Sequence, residues 1–336
     1  METVRFYSKK ELEQFISKRL GEEKLGQAVT TVTNWDALKN SPSKYVLLGI
    51  PEDIGVRANH GKPGARDAWL TALQSFCNIQ NNAFTQAENL IVLGEIDCKT
   101  QMEQAENIGQ DDPHYFEKLG ELVTQIDDKV SKTIKQIVQA NKIPIIIGGG
   151  HNNSFGNLKG TSQAIGKPIN CVNFDAHTDF RALEHRHSGN GFSYAFEDGF
   201  LNKYSIFGIH RNYTSKAVFE TMDTNPKRIQ YSIFEEIAIS KKISFSKALQ
   251  NAEAFINTKT EYFGVELDLD AIEHMGSSAM TPSGFTLTEA RKFIRYFSEK
   301  ENCKYIHICE GAPSFSANPN QLGKAISYLI SDCIAS

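Results

Sequence analysis

The sequence holds no uninterrupted apolar stretch approaching the roughly 20 residues that a membrane-spanning helix requires, and its six cysteines include no C-x-x-C pair. The first absence argues against a helical membrane protein; the second removes the usual sign of a zinc ribbon or dithiol redox centre. Cys77, Cys98, Cys171, Cys303, Cys309 and Cys333 are scattered, several of them inside apolar runs, as expected of free cysteines in a reduced, cytoplasmic protein. An excess of positive charge is also missing. With 36 Lys and Arg against 40 Asp and Glu the formal net charge is −4, so neither nucleic acid nor an anionic membrane is an expected partner. The opening residues alternate charged and apolar types through 9–19 and lack the continuous apolar core of a secretion signal. There is no low-complexity linker and no internal repeat. What is present is a chain of 336 residues, 40% hydrophobic and 23% charged, able to bury a large core and suited to a small-molecule substrate.

Short apolar runs rich in β-branched residues recur at 45–49, 90–94, 144–148, 169–174, 204–209, 262–269 and 305–309. Their continuity predicts strands buried on both faces. Helical patterns lie between them. Phe116, Leu119, Leu122, Val123, Ile126, Val130, Ile134, Ile137 and Val138 keep to one face at a 3.6-residue period. Thr286 and Glu289 form a capping-box pattern ahead of Ala290, Phe293, Ile294 and Phe297. A last helix starts near Asn320 and carries Leu322, Ile326, Leu329 and Ile330. The polar stretch 99–112 reads as a surface loop, and residues 1–43 as an N-terminal helical extension. Alternating strands and helices predict a single α/β domain with a mostly parallel sheet covered on both faces, in which ligands bind beyond the carboxyl ends of the strands.

Four of those ends are loaded with polar residues. Gly148-Gly149-Gly150-His151 follows the run at 144–148, with glycines that allow a tight turn. Asp175-Ala176-His177-Thr178-Asp179 follows the next strand and places three potential ligands at i, i+2 and i+4, on one face of an extended segment. The run 264–270, ending Glu266-Leu267-Asp268-Leu269-Asp270, repeats the device with two carboxylates at i and i+2, and the strand at 305–309 delivers Glu310. Any one of these motifs alone is more often a loop, a helix cap or a solvated edge. From them comes a set of two imidazoles, His151 and His177, and four aspartates, Asp175, Asp179, Asp268 and Asp270, too oxygen-rich for a structural zinc site and suited to Mn²⁺. Shared carboxylates could hold two divalent ions close together, where a bridging water becomes a hydroxide nucleophile at neutral pH.

These motifs, in this order, resemble the ureohydrolase family, which includes arginase, agmatinase, guanidinobutyrase and formimidoylglutamase. The resemblance covers nearly the whole chain and implies a single three-layer α/β/α domain with a mainly parallel sheet of about eight strands. It implies two Mn²⁺ ions per subunit, one held by His151, Asp175, Asp179 and Asp268 and the other by His177, Asp175, Asp268 and Asp270. Glu310 matches the family's acidic residue for the cationic nitrogens of the substrate, and it joins Asp179 as a catalytic candidate. Assembly into trimers or hexamers is a further implication.

Departures narrow the branch. Arginases carry a histidine two residues after Ser-Gly-Asn, where Ser188-Gly189-Asn190-Gly191-Phe192 places phenylalanine. Gly150 stands where arginases and agmatinases have aspartate, and Phe180-Arg181 follows the metal motif; these features and the segment 53–65 resemble formimidoylglutamase. Glu266 replaces a small residue, and Glu273-His274 replaces an Asp-Pro pair. Arg57 and Arg181 could clamp a dicarboxylate, with Ser188 and Asn190 as further substrate contacts. Either arginine could instead form a structural ion pair with Glu52, Asp53 or Glu184. His185, His187 and His210 could carry protons or lie on the surface. The expected reaction is hydrolysis of N-formimidoyl-L-glutamate to L-glutamate and formamide. The alternatives are another ureohydrolase activity or a non-catalytic metal-binding role.

Overall fold

The computed structural model describes residues 3–258 and 260–335. Its ten strands are β1 (Val4–Phe6), β2 (Thr30–Thr31), β3 (Tyr45–Gly49), β4 (Leu90–Ile96), β5 (Ile143–Ile147), β6 (Ile169–Phe174), β7 (Leu201–Ile209), β8 (Ile229–Ile233), β9 (Phe263–Asp268) and β10 (Cys303–Cys309). They form one sheet in the order β1-β4-β3-β5-β10-β9-β6-β7-β8, with β2 alongside β4. Every pairing is parallel except that of β1 with β4. The eight strands from β4 to β8 are the expected parallel sheet, and the two N-terminal strands raise the count to ten.

Parallel strands bury both faces, and the helices segregate accordingly. Helices Ala68–Phe76, Phe245–Ile256, Leu287–Ser298 and Pro319–Ile334 pack one apolar core against the sheet. Helices Tyr115–Gln139 and Asn153–Ile165 pack a second core on the opposite face. The Thr286 cap forms as expected: its hydroxyl accepts from the Glu289 N–H at 3.2 Å, and the Glu289 carboxylate accepts from the Thr286 N–H at 2.8 Å.

Two expectations need correction. The stretch 99–112 is not all loop, because Lys99–Glu106 is helical and buries Gln101, Met102 and Ala105. With only two of its buried residues apolar, this helix has too thin an apolar stripe to stand out in the sequence. The N-terminal segment is not only helical. β1 closes the sheet edge antiparallel, with Val4 opposite Ile96 and Phe6 opposite Gly94, and β2 adds a short parallel pairing. Strands of two or three residues leave almost no periodic signature.

The end of β3 depends on a missing side chain. A Cβ on Gly49 would lie 2.3 Å from the indole Cγ of Trp69. That ring cannot retreat, since Trp69 is fully buried and its N–H donates to the Tyr7 hydroxyl at 3.3 Å. Gly49→Ala should therefore destabilise the protein by about 1–3 kcal/mol through overpacking, read as a lower urea midpoint at an unchanged slope.

Candidate metal centre

β5, β10, β9 and β6 are consecutive in the sheet, and all four expected polar termini emerge from their carboxyl ends. After β5 the chain turns through Gly148 and Gly149, whose φ values of 90° and 71° favour residues without a Cβ. Gly150 is demanded by space instead. A Cβ there would sit 2.6 Å from Asn152 Oδ1 and 2.8 Å from Val56 Cγ2. Buried Glu52 braces this turn by accepting from the Gly150 N–H at 3.1 Å and the Asn153 amide at 2.6 Å.

The turn delivers His151 into a crowd of carboxylates. Its Nδ1 lies 2.8 Å from Asp179 Oδ2, 3.2 Å from Asp175 Oδ2 and 3.2 Å from Asp268 Oδ2. A second imidazole, His177, places Nδ1 3.1 Å from Asp270 Oδ2 and 3.7 Å from Asp175 Oδ1. The potential ligand atoms of His151, Asp175, Asp179 and Asp268 all lie within 4.8 Å of one another, as do those of Asp175, His177 and Asp270. Asp175 is common to both groups. Asp268 falls in the first, with its Oδ1 accepting from the Asp270 N–H at 2.8 Å.

These contacts do not satisfy one another. Among the described residues, neither ring nitrogen of His151, nor Asp270 Oδ1, has a hydrogen-bond partner, although all three atoms are buried. One nitrogen surrounded by three carboxylate oxygens can donate to at most one of them, so the set converges on a point between the side chains. Burial, reinforced by Asp270 and Asp175, raises the Asp268 carboxyl well above the usual range. Burial opposes ionisation of Asp175 too, but His151 and His177 overrule it and hold that carboxyl low. Carboxylates that resist ionising side by side, together with orphaned imidazole nitrogens, are the donor chemistry of a divalent-cation site. Asp179 and Glu310 also adopt φ values of 44° and 62°, in a region that non-glycine residues rarely occupy and that clusters at functional sites.

Above these residues opens a cavity of about 400 Å³ lined by His177, Asp179, Asp268, Asp270 and Glu310 below and by Asn59, His60, Lys62, Arg181, Ser188 and Tyr213 around its wall. Burial, with Asp270 and Asp179 nearby, pushes the Glu310 carboxyl up to about 8, against the stabilising donation from the His151 N–H at 2.8 Å. Arg181 and Ser188 line the wall. Arg181 donates to Asn59 Oδ1 at 2.7 Å, and the Asn59 amide donates to Ser188 Oγ at 3.1 Å.

Arg57 and Asn190 do not reach the cavity. The Arg57 guanidinium donates to the Ala105 carbonyl at 2.9 Å and pairs with Glu106 at 3.6 Å, drawn away by the helix that the sequence concealed. Asn190 is wholly buried and works within its own loop, accepting from Arg186 at 2.5 Å and donating to the His185 carbonyl at 3.0 Å. Phe192 packs behind the floor, edge-on to His151 at 5.1 Å and stacked on Tyr204 at 4.4 Å. The surface reading fails for His187 and His210, which are buried; the His187 ring bonds to Glu184 at 2.9 Å and His210 stacks on Phe234 at 4.3 Å. His185 is half-buried, its Nε2 3.0 Å from the Ala58 carbonyl.

Fold and site together define a class: a parallel α/β protein with a candidate dinuclear metal centre at the carboxyl edge of its central strands. The arginase family model matches residues 43–335, and the chain belongs to that family. A formimidoylglutamase from Geobacillus sp. (strain WCH70) is 26% identical over 289 residues, covering 84% of this chain and 81% of that protein. The crystal structure of formimidoylglutamase from Bacillus subtilis superposes with a TM-score of 0.77 at 18% identity, over 95% of this chain and 93% of the other. Trypanosoma cruzi formiminoglutamase with Mn²⁺ gives a TM-score of 0.71 at 17% identity, over 94% and 99%.

Sequence reasoning missed the residues that brace the site. Asn173 in β6 donates to Asp175 Oδ2 at 2.9 Å and to the Tyr204 hydroxyl at 2.9 Å, and that hydroxyl donates to the Thr178 carbonyl at 2.9 Å. The available signal was an asparagine, one of two in β6, inside a strand buried throughout. Arg186 secures the loop 180–190 by pairing with Asp127 of helix Tyr115–Gln139 at 3.0 Å, both side chains being buried. Because Asp127→Ala would strand a buried guanidinium, it should cost about 3–5 kcal/mol; thermal unfolding of Asp127→Ala beside Arg186→Ala and the double variant would reveal the coupling, and additive losses would refute it.

Proposed function

We propose that this chain hydrolyses the C–N bond of a linear amidine bearing carboxylates, most specifically N-formimidoyl-L-glutamate to L-glutamate and formamide. The single observation carrying this reading is the polarity of the cavity, with carboxylates on its floor and the cations Arg181 and Lys62 on its wall. A substrate with an amidinium at one end and carboxylates at the other matches both surfaces, whereas arginine or agmatine would place positive charge against the wall. The resemblance to formimidoylglutamases supports the same branch.

His151, Asp175, Asp179, Asp268, His177 and Asp270 would hold two divalent ions, which we take to be Mn²⁺ from the oxygen-rich set and the ions of the structural relative. Bound there, the ions supply Lewis acidity and lower the pKa of water. Glu310 faces the amidinium from the end of β10 and orients its planar carbon above the floor. Arg181, steadied by Asn59, meets a substrate carboxylate. Its ion pair with Glu184, at 3.3 Å between two half-exposed side chains, is weak enough to yield. In the balanced reaction water's oxygen bonds to the amidine carbon, the bond from that carbon to the glutamate nitrogen breaks, and the departing nitrogen gains a proton. Six free cysteines, all buried, fit a reducing cytoplasm, and no helix among the described residues is long and apolar enough to cross a membrane.

Asp268→Ala is expected to leave fewer than two Mn²⁺ per chain by elemental analysis and to abolish turnover while unfolding near the wild-type temperature; two ions retained would sink the ligand assignment. On a substrate panel, the manganese-loaded protein should favour N-formimidoylglutamate over arginine and agmatine by on the order of a hundredfold in kcat/KM, since a missing carboxylate leaves a cation unpaired. Arg181→Ala should raise KM for the dicarboxylate by about tenfold with less effect on a neutral amidine. Equal efficiency towards arginine would overturn the substrate reading and leave the metal centre standing.

A further inference from the structure

Behind the candidate metal centre lies a carboxylate–imidazole pair that the mechanism above does not use. Glu266 in the middle of β9 and His307 in the middle of β10 stand directly opposite one another in the parallel ladder, and both are fully buried. Glu266 Oε2 is 2.5 Å from His307 Nδ1 and 3.5 Å from His151 Nε2. The other nitrogen of His307 lies 3.1 Å from the carbonyl oxygen of Gly148, the first residue of the turn that carries His151. A carbonyl only accepts, so His307 Nε2 bears a hydrogen and donates to the turn. The three side chains and the turn therefore line up through an apolar sheet, hydrogen-bonded from Gly148 through His307 to Glu266 and with a 3.5 Å step from Glu266 to the unpartnered Nε2 of His151. A carboxylate buried in mid-sheet is costly unless it is paired, which demands an explanation for its presence.

The orientation of His151 supplies one. Its Nδ1 points at Asp175, Asp179 and Asp268, so a cation held there leaves Nε2 to carry the proton, and the carboxylate facing Nε2 is Glu266. An imidazole that binds a metal through one nitrogen and donates through the other to a carboxylate is fixed in tautomer and ring angle, and is the more basic for it. We propose that Glu266, itself oriented by His307, is a positioning residue that locks the His151 ring and thereby sets the affinity of the metal position at His151, selectively over the position at His177. This rests on the metal reading above. His307 adds a second restraint, since it ties the Gly148 carbonyl to the same carboxylate, and ring and turn are held from one point.

The test is Mn²⁺ titration of the full chain against a competing chelator, together with Mn²⁺ electron paramagnetic resonance to distinguish paired from single ions and thermal unfolding without added metal. Glu266→Gln keeps the volume and removes the charge. It should weaken one of the two Mn²⁺ sites by about 10–100-fold while the other stays within a factor of a few, replacing the coupled spectrum with a single-ion one at limiting metal. His307→Gln, whose amide can still donate to Gly148, should shift the same site in the same direction by less. A purely structural role would lower the unfolding temperature and leave both affinities alone, and that result overturns the proposal. Should a variant fail to fold, the wild-type protein decides: with diamagnetic Zn²⁺ bound and histidine labelled with ¹⁵N, His151 should show the Nε2–H tautomer with its proton hydrogen-bonded, and an Nδ1–H tautomer refutes the assignment. If the wild type binds no metal at all, the metal reading falls and this inference with it; two tight sites in the wild type and in Glu266→Gln alike would remove only this inference.

Discussion

Three carboxylate oxygens lie within 3.2 Å of a single nitrogen of a fully buried histidine. Two like charges about 4 Å apart repel by roughly 4 kcal/mol at an effective dielectric of 20, so such a cluster is stable only where the surrounding structure is too strong to relax away from it, or where a cation enters. The sheet meets the first condition by position. The loaded termini belong to β5, β10, β9 and β6, which have neighbours on both sides and cores above and below, while the edge strands β1 and β8 contribute no ligand candidate. The second condition is what the proposed function would use. Repulsion held in place by the fold would on that reading be converted into affinity for divalent ions.

Holding those groups requires backbone shapes that the chain would otherwise avoid. Gly148 and Gly149 meet this need without penalty, but Asp179 and Glu310 adopt left-handed conformations despite their side chains, at a cost of order 1–3 kcal/mol each. Both are anchored. The Glu310 carboxylate is fixed by the His151 N–H, and the segment before Asp179 is fixed by the Tyr204 hydroxyl on the Thr178 carbonyl. The strain is sustainable because each displaced residue is hydrogen-bonded to an element that cannot move independently. Glu52 performs the same service for the glycine turn from the far side.

How much of this was legible in the sequence follows from burial. Strands covered on both faces are predominantly apolar, which makes β3 readable to the residue, β6 likewise despite Asn170 and Asn173, and the other central strands nearly so. β8, reading Ile-Gln-Tyr-Ser-Ile at an edge, is only half covered and alternates, so no apolar run betrays it. The carboxylate and imidazole motifs were visible because each occupies five consecutive residues or fewer. Their braces were not, since Glu266 and His307 are 41 positions apart and Glu52 and Gly150 are 98 apart, and only the register of the sheet brings them together. The two arginines show the same limit. Both have acids close by in sequence: Arg181 does pair with Glu184 while also reaching Asn59 on the wall of the cavity, but Arg57 turns to Glu106 on a helix whose thin apolar stripe does not show in the sequence.

The division between floor and wall has a consequence for selectivity. Every candidate metal ligand stands on or just beyond a central strand, so its position is set by the packing of the whole domain. The wall is built from loops: Asn59, His60 and Lys62 follow β3, and Arg181 and Ser188 follow β6. These loops meet through the string from Arg181 to Asn59 to Ser188, and the second is secured from below by Arg186 on Asp127. A substitution in the wall can therefore change which end group is accepted without disturbing the reacting centre, whereas the reverse is not possible, because moving any floor ligand shifts a strand that packs against two cores. On the proposed reading, the chemistry of the bond that is broken belongs to the sheet, and the choice of the molecule that carries the bond belongs to the loops of the wall, Tyr213 after β7 among them, and to the buried ion pair that secures one of them.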